Sequence, residues 1–199
     1  MNNTMRFIIF VSLVLVLPSL RAEDKVLFAP KFDGPVSPEW VQAKGIWKSE
    51  GGVLTGEEIP EQKHVAVAQH VMPLENFALE GELRFDGAKN FITGTDGEGG
   101  HVGRLVILPT QIMIQWDHTV PGQKPVSTTL ATTKHTLKQG EWFKFRLEWR
   151  GTKLKAIVDG DKIEAGHERF AAVKKQFWFA IAGKTASVRN FRVVTLEAQ

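Results

Sequence analysis

Residues 141–163, EWFKFRLEWRGTKLKAIVDGDKI, decide the fold class of this chain. In the first half of the stretch, large apolar residues alternate with charged ones; the apolar residues are Phe143, Phe145, Leu147 and Trp149. Successive side chains of a β-strand point to opposite faces, so this alternation predicts a strand with one buried face. After Gly151 the alternation resumes with Leu154, Ala156 and Val158, and Asp159-Gly160 then favours a tight hairpin turn. The stretch therefore predicts an antiparallel meander.

The same pattern of strands and turns extends over the rest of the chain. Residues 77–85, FALEGELRF, form the second clear strand, with its apolar residues on one face and its charged residues on the other. Further short strands follow with turn signals at intervals of about 8–12 residues, and only residues 39–41 favour a helical turn. The chain is therefore predicted to be all-β, a two-sheet antiparallel β-sandwich of the jelly-roll type with little or no helix. A closed barrel has a similar strand count, but the charged strand faces favour a sandwich with a solvated sheet surface.

The N-terminal residues 1–22 differ in composition from the rest. Arg6 precedes an apolar run over residues 7–17, and Ala22 offers a small residue for cleavage. This order predicts a secretory signal peptide over residues 1–22, followed by a single domain over residues 23–199. A membrane anchor is the alternative, but a span requires about 20 apolar residues. We therefore expect a periplasmic or secreted protein without stable membrane insertion, and one held together without disulfides because the sequence has no cysteine.

Charge separates the predicted domain from nucleic-acid-binding proteins. The full sequence has 25 basic and 22 acidic residues, a net charge of +3. Removal of residues 1–22 removes Arg6 and Arg21, which leaves 23 basic residues against 22 acidic ones and a net charge of +1. A surface that binds phosphates needs a concentrated positive patch, so we expect no nucleic-acid partner. Nothing in the sequence indicates the oligomeric state.

The order of four motifs resembles that of the 3-keto-disaccharide hydrolase-type domains of exported bacterial proteins, which belong to the concanavalin A-like lectins and glucanases. The matching stretches are GIWKSEGGVLTG (45–56), FALEGELRF (77–85), GEWFKFRLEWRGTKLKAIVDGDKI (140–163) and SVRNFRVVTL (187–196). The resemblance covers most of the chain after residue 22. It implies a jelly-roll fold, a carbohydrate partner and cleavage of glycosidic bonds in (3-keto-)glycosides.

Two departures from the pattern of that family concern function. Family members carry a Gln and, three positions later, an Asp on the ligand face, whereas here Gln115 and Asp117 are only two positions apart. The chain also lacks the Glu-x-Asp-x-x-Glu strand of the glucanases, and no pair of carboxyls with the separation of roughly 5 Å needed for retaining hydrolysis is evident. A non-catalytic carbohydrate-binding or adhesive β-sandwich module is therefore the alternative to an enzyme, and a structural envelope protein is a third hypothesis.

Polar residues in and beside the predicted loops supply the candidate site. His101 and His167 adjoin glycines, and a neutral imidazole there can act as an acid, a base or a hydrogen-bond partner. Arg104, Gln115 and Asp117 lie on otherwise apolar strands and must pair if they are buried. We therefore predict that both histidines and Asp117 converge on one rim of the sandwich, with Arg104 and Gln115 bracing them. Exposed histidines without a task and purely structural pairing are the alternatives.

The glycine-rich stretch and the tryptophans give two further expectations. Asp96 and Glu98 lie in the predicted loop 94–103 and are weak candidates for a calcium site, with a plain polar loop as the alternative; no other cofactor is predicted. Trp116 lies near a strand end and is the tryptophan best placed to stack on a sugar ring. The tryptophans predicted to fill the core are Trp47, Trp142, Trp149 and Trp178. The charged faces of residues 80–84 and 144–148 are expected to pair across strands on a wet surface.

Overall fold

The computed structural model describes residues 24–118, 122 and 126–197, and the regular structure of this part is almost entirely β. Its strands are β1 Val26–Phe28, β2 Trp40–Lys44, β3 Ile46–Glu50, β4 Val53–Glu57, β5 Ala66–Leu74, β6 Phe77–Gly97, β7 Gly100–Leu108, β8 Gln111–His118, β9 Val126–Lys134, β10 Trp142–Arg150, β11 Lys153–Val158, β12 Asp161–Gly166 and β13 Lys174–Thr195. Two short 3₁₀ helices span Pro60–Gln62 and Glu168–Ala171. The predicted signal peptide, residues 1–22, lies outside the described residues. Within the described ranges, no helix has the length and apolarity needed to cross a membrane.

Two long strands, β6 and β13, build both layers of the fold. They pair antiparallel along their length, but the register is interrupted where Gly183 lies opposite Ala88 and Thr185 lies opposite Gly87. Gly183 and Gly87 have φ values of +89° and +90°, which glycine adopts without steric strain, so both strands can bend there. The first layer contains β6 up to Phe85, in the order β12-β11-β10-β6-β13-β4-β3. The second layer contains β6 from Phe91 onward, in the order β9-β8-β7-β6-β13-β5-β2.

The two layers pack face to face through aromatic side chains. The ring centroids of Phe91 in the second layer and Phe145 in the first are 5.7 Å apart. Those of Phe179 in the second layer and Phe191 in the first are 5.0 Å apart. All four rings are buried, and each such burial stabilises the fold by about 2–3 kcal/mol. The predicted two-sheet antiparallel jelly-roll sandwich is therefore confirmed.

The meander predicted from residues 141–163 is also confirmed. β10 buries the four apolar residues that alternate along it and pairs with β11 from Phe145 opposite Val158 onward. Asp159 and Gly160, between β11 and β12, have φ values of +47° and +95°. A two-residue hairpin of the type I′ class requires positive φ at both central positions, which explains the Asp-Gly pair.

The structure corrects two local predictions. Residues 39–41 do not form a helical turn, because β2 begins at Trp40 and buries this ring among the core aromatics. Residues 94–103 do not form a loop, because β6 continues to Gly97 and β7 begins at Gly100. A Cβ at Gly94 or at Gly103 would lie 2.7 Å from a neighbouring atom. Close packing, against the paired strand at Gly94 and against Phe170 at Gly103, therefore explains these two glycines, and loop flexibility does not.

Candidate functional site

The outer face of the second layer brings predicted site residues onto adjacent strands. On β6, Phe91 points into the core, so Asp96, an odd number of positions further along, points away from it. The strand register places His101 of β7 on one side of Asp96 and Gln176 of β13 on the other. Arg104 lies further along β7 on the same face. The sheet thus presents a row of polar groups on a rigid backbone.

The imidazole of His101 lies between two carboxylates. Its Nδ1 is 2.5 Å from Oδ1 of Asp96, and its Nε2 is 3.8 Å from Oδ2 of Asp117. A short contact with an ionised carboxylate assigns the proton of the neutral ring to Nδ1, so Nε2 carries the free lone pair. The side chain of His101 is 36 % exposed, so the imidazole borders solvent.

Hydrogen bonds keep Asp96 ionised. Nε1 of Trp178 donates to its Oδ1 at 2.9 Å, and Nε2 of Gln176 donates to its Oδ2 at 2.7 Å. Burial alone would raise the pKa of Asp96, but these hydrogen bonds, together with that from His101, hold the pKa below its ordinary value. Asp96 therefore serves as a fixed anion that orients the imidazole.

Asp117 is the most deeply buried carboxylate beside His101, with a side chain 3 % exposed. Its Oδ2 accepts from Nη1 of Arg104 at 2.9 Å. The same guanidinium donates to Gln115 at 3.0 Å and to the hydroxyl of Ser127 at 2.7 Å. Burial lowers the pKa of Arg104, and the carboxylate of Asp117 offsets part of that effect.

One oxygen of this network lacks a donor. Oδ1 of Asp117 is buried and has no hydrogen-bond partner among the described residues. Buried carboxylate oxygens are normally paired, so this atom is an unsatisfied acceptor, although almost none of its surface is exposed. We refer to the whole group as the polar cluster; its members are Asp96, His101, Arg104, Gln115, Asp117, Gln176 and Trp178.

The structure brings four of the predicted site residues together and leaves two apart. The four are His101, Arg104, Gln115 and Asp117. Trp116 lies on the core side of β8 and stacks on His167 with ring centroids 4.1 Å apart. Nδ1 of His167 accepts the backbone N–H of Arg169 and so caps the second 3₁₀ helix. The predicted approach of His167 to Asp117 is therefore wrong, since adjacent residues of β8 face opposite sides. His167 covers one face of the half-exposed Trp116 ring.

Sequence reasoning missed Gln176 as a member of the cluster and placed Trp178 in the core. Trp178 is buried, but it does not belong to the core cluster that contains Phe177 and Phe179. The alternation along β13 is the signal that could have placed it outward, because both flanking phenylalanines face the core. Its outward indole N–H is one of the hydrogen-bond donors to the carboxylate of Asp96.

Trp142 is the second tryptophan whose predicted position is wrong. It lies on the outer face of the first layer, between the guanidinium groups of Arg84 and Arg189 at 4.9 and 4.2 Å from the ring centroid. This is a cation–π arrangement, which stabilises an aromatic ring at a charged surface. Trp47 and Trp149 are buried in the core, as predicted.

The geometry does not support the calcium site considered for Asp96 and Glu98. In residues 24–118, 122 and 126–197, no group of three or more His, Asp or Glu side chains is arranged to hold a metal ion. Asp96 directs its oxygens at three N–H donors, and the backbone carbonyl of Glu98 accepts from Arg169.

The outer face of the first layer is charged and largely self-paired, as expected from the sequence. Arg146 pairs with Glu80 and Glu148, and Arg189 pairs with Glu82 at 2.6 Å. A cavity of about 710 Å³ lies over this face, but Glu80 and Glu82, which line it, already have arginine partners. The polar cluster, with a partly exposed imidazole between two carboxylates, is therefore the better candidate site.

Comparisons with known proteins agree with the fold. No protein-family model matches the chain, and no curated protein matches it significantly. Among solved structures, the carbohydrate-binding module CBM66 from Bacillus subtilis is similar at a TM-score of 0.61 and 12% identity, over 79% of this chain and 96% of that one. LamAcat from Zobellia galactanivorans is similar at 0.61 and 12%, over 86% and 98%. The Bacillus licheniformis beta-glucanase is similar at 0.56 and 12%, over 85% and 98%. At these identities the likeness establishes the jelly-roll fold, which a binding module and a glucanase share.

Proposed function

We propose that this chain is an exported carbohydrate-active domain that cleaves the glycosidic bond of a 3-keto-glycoside by proton transfer at His101. The observation that carries the proposal is the imidazole held between Asp96 and Asp117 on an outward sheet face. The order of motifs that resembles the 3-keto-disaccharide hydrolase-type domains supports the same substrate class. The fold likeness to a carbohydrate-binding module and to a beta-glucanase is in keeping with a saccharide ligand.

The arrangement does not suit the two-carboxylate chemistry of ordinary glycosidases. In those enzymes one carboxyl protonates the leaving oxygen, while the other acts from the opposite side of the scissile bond. Here the ring of His101 occupies the space between Asp96 and Asp117, and Asp117 is bound to Arg104. A mechanism with a single base fits the site better.

A single base is sufficient for a 3-keto-glycoside. The hydrogen on C2 is acidic because the C3 carbonyl stabilises the resulting enolate, and the glycosidic oxygen is bonded to the adjacent C1. Nε2 of His101 removes the C2 proton, the enolate electrons form a C1–C2 double bond as the C1–O bond breaks, and the departing oxygen takes up a proton. Addition of water, hydroxyl to C1 and hydrogen to C2, completes a net hydrolysis.

The two carboxylates have separate roles in this scheme. Asp96 accepts from Nδ1–H and keeps the lone pair of Nε2 directed at the ligand. Asp117 lies 3.8 Å from Nε2 and stabilises the imidazolium that forms when His101 takes the proton.

A non-catalytic carbohydrate-binding module is the second candidate. The observation that favours it is the pairing of Asp117 with Arg104 and of Arg104 with Gln115. Such a network presents fixed donors and acceptors to sugar hydroxyls without any proton transfer. In that case the same side chains contribute to affinity and not to rate.

Turnover assays distinguish the two functions. The mature protein is incubated with 3-keto-glucosides and with ordinary disaccharides, and the products are followed by mass spectrometry. We expect cleavage of the 3-keto-glucosides, and a loss of about 100-fold or more in kcat for His101→Ala. His64→Ala, at an exposed histidine outside the polar cluster, is the matched control and should keep full activity. The absence of product from both substrate classes would remove the enzyme hypothesis, and a glycan array would then test the binding module.

The predicted signal peptide has its own test. Mass spectrometry of the N-terminus of the protein from its native host should find cleavage near Ala22. Intact Met1 on a protein extracted from membranes would instead identify the apolar run as an anchor.

A further inference from the structure

The outer face of the second layer carries an apolar strip in addition to the polar cluster. Its members are cross-strand partners on five neighbouring strands and are Val67, Ala180, Ile92, Val106 and Met113. Neighbouring strands are about 4.8 Å apart, so the strip is about 19 Å long. We refer to these five side chains as the apolar strip.

The apolar strip is not part of the sandwich core. The core cluster contains the neighbours of Val106 and Met113 along the chain, Leu105, Ile107 and Ile112, but no member of the strip. Val67, Ile92 and Met113 are partly exposed, whereas Val106 and Ala180 are buried at 5 % and 4 % exposure. The solvated face of an antiparallel sheet is normally polar, and the outer face of the first layer follows that rule. The same strands β6 and β13 thus carry charges on their first-layer outer face and apolar groups on their second-layer outer face.

The apolar strip lies beside the polar cluster on the same strands. Ile92, Gly94 and Asp96 are successive outward positions of β6, and Val106 and Arg104 are successive outward positions of β7. Such positions are about 7 Å apart, so the strip lies about 7 Å from Arg104 and about 14 Å from Asp96. These distances suit one ligand that extends from the cluster to the strip.

We infer that the second layer binds glycosides with an apolar aglycone, the sugar over the polar cluster and the aglycone over the apolar strip. The inference rests on the proposed function, because it requires the sugar to bind beside His101. A second sugar in the aglycone position would place hydroxyls over side chains that cannot form hydrogen bonds, and this desolvation is unfavourable. An apolar aglycone instead removes both surfaces from water.

Two 3-keto-glucosides with the same sugar test the inference. One has an octyl aglycone, long enough to reach from the polar cluster to the strip, and the other a glucosyl aglycone, so both release an alkoxide oxygen. We expect kcat/KM to be about 10-fold higher for the octyl substrate. Ile92→Thr and Met113→Gln should each lower kcat/KM for this substrate by about 5- to 10-fold and leave the glucosyl substrate unchanged. Ile157→Thr, at a partly exposed position on the outer face of the first layer, is the matched control and should alter neither value.

The outcomes separate this inference from the proposed function. Equal kcat/KM for both substrates, or a preference that survives Ile92→Thr and Met113→Gln, would overturn the apolar subsite and leave glycoside cleavage intact. The absence of turnover and of saturable binding for both substrates would remove cleavage and subsite together. Thermal unfolding identifies any variant that melts below the assay temperature, and Val67→Thr, at the end of the strip, then replaces it in the comparison.

Discussion

Lys174 provides a quantitative prediction about stability. Its side chain is buried at the start of β13, where the ammonium donates to the backbone carbonyl oxygens of Phe170 at 2.7 Å and Glu75 at 3.1 Å. Burial lowers the pKa of Lys174 from 10.5 to about 8, and the charge of Glu75 offsets only part of that effect. The folded protein therefore holds this proton less tightly than the unfolded chain does.

The sign and size of the effect follow from linkage. Between pH 8 and pH 10.5 the unfolded chain keeps Lys174 protonated while the folded protein releases the proton, so the free energy of unfolding rises with pH in this interval. Each unit of pKa difference corresponds to about 1.4 kcal/mol, so the whole rise is about 3 kcal/mol. Neither tyrosine nor cysteine titrates in this interval, because the sequence has none, and the comparison with Lys174→Met removes the contribution of the other lysines.

Urea unfolding at steps from pH 7 to pH 10.5 measures this rise. We expect it in the wild-type protein and in Lys175→Met, a change at the exposed neighbouring lysine, but not in Lys174→Met. The slope with pH is the readout, because removal of the ammonium also leaves the carbonyl oxygens of Phe170 and Glu75 without this donor. A flat wild-type curve, or an equal rise in Lys174→Met, would refute the reasoning.

Three further predictions concern single positions. Gly94→Ala would place a Cβ 2.8 Å from side-chain atoms of Arg104 and Trp178, so we expect the free energy of unfolding to fall by about 1–3 kcal/mol in thermal unfolding. An unchanged melting temperature would contradict this close packing. Burial lowers the pKa of His70 below 6.5, so the folded protein binds fewer protons at this residue than the unfolded chain as the pH falls below that value. The free energy of unfolding should therefore decline as the pH falls there, and His70→Phe should reduce this decline in urea titrations. Burial favours a raised pKa for Asp96, but its hydrogen bonds hold the pKa below 3.8. The ionised side chain therefore stabilises the fold above pH 3.8, and this stabilisation is lost as the pH falls through the pKa of Asp96 in the folded protein. Asp96→Asn should flatten this acid limb, and an unaltered limb would count against these hydrogen bonds.

The fold class was predictable because its signal is local. Each apolar residue of β10 has a charged neighbour, and burial of one face is enough to specify a strand and its orientation. The length of β6 and β13 was not predictable, because Gly183 looks the same in sequence whether it ends a strand or bends one. Only the pairing of the two strands on both sides of that glycine distinguishes the cases.

The candidate site was predictable only where the sequence shows an anomaly. Arg104, Gln115 and Asp117 stand out as polar residues on apolar strands, and the structure does bring them together. The hydrogen bond between Asp96 and Gln176 joins residues 80 positions apart, and no local sequence pattern predicts such a contact. His167 could not be assigned to a face from sequence because it lies outside the strands, where alternation gives no information.

The sharing of β6 and β13 between the layers has a consequence for local unfolding. Neither layer can open as an independent unit, because separation of the layers would break the backbone hydrogen bonds between β6 and β13, which run through both. Partial opening is therefore confined to the strands with a single partner, which are β1, β2, β3, β9 and β12. Amide hydrogens of β6 and β13 should exchange with solvent only through global unfolding, on both sides of the bend alike, while those of the edge strands exchange through smaller openings. Since Asp96 and Trp178 lie on the two shared strands, the anion that orients His101 belongs to the slowest-exchanging part of the molecule.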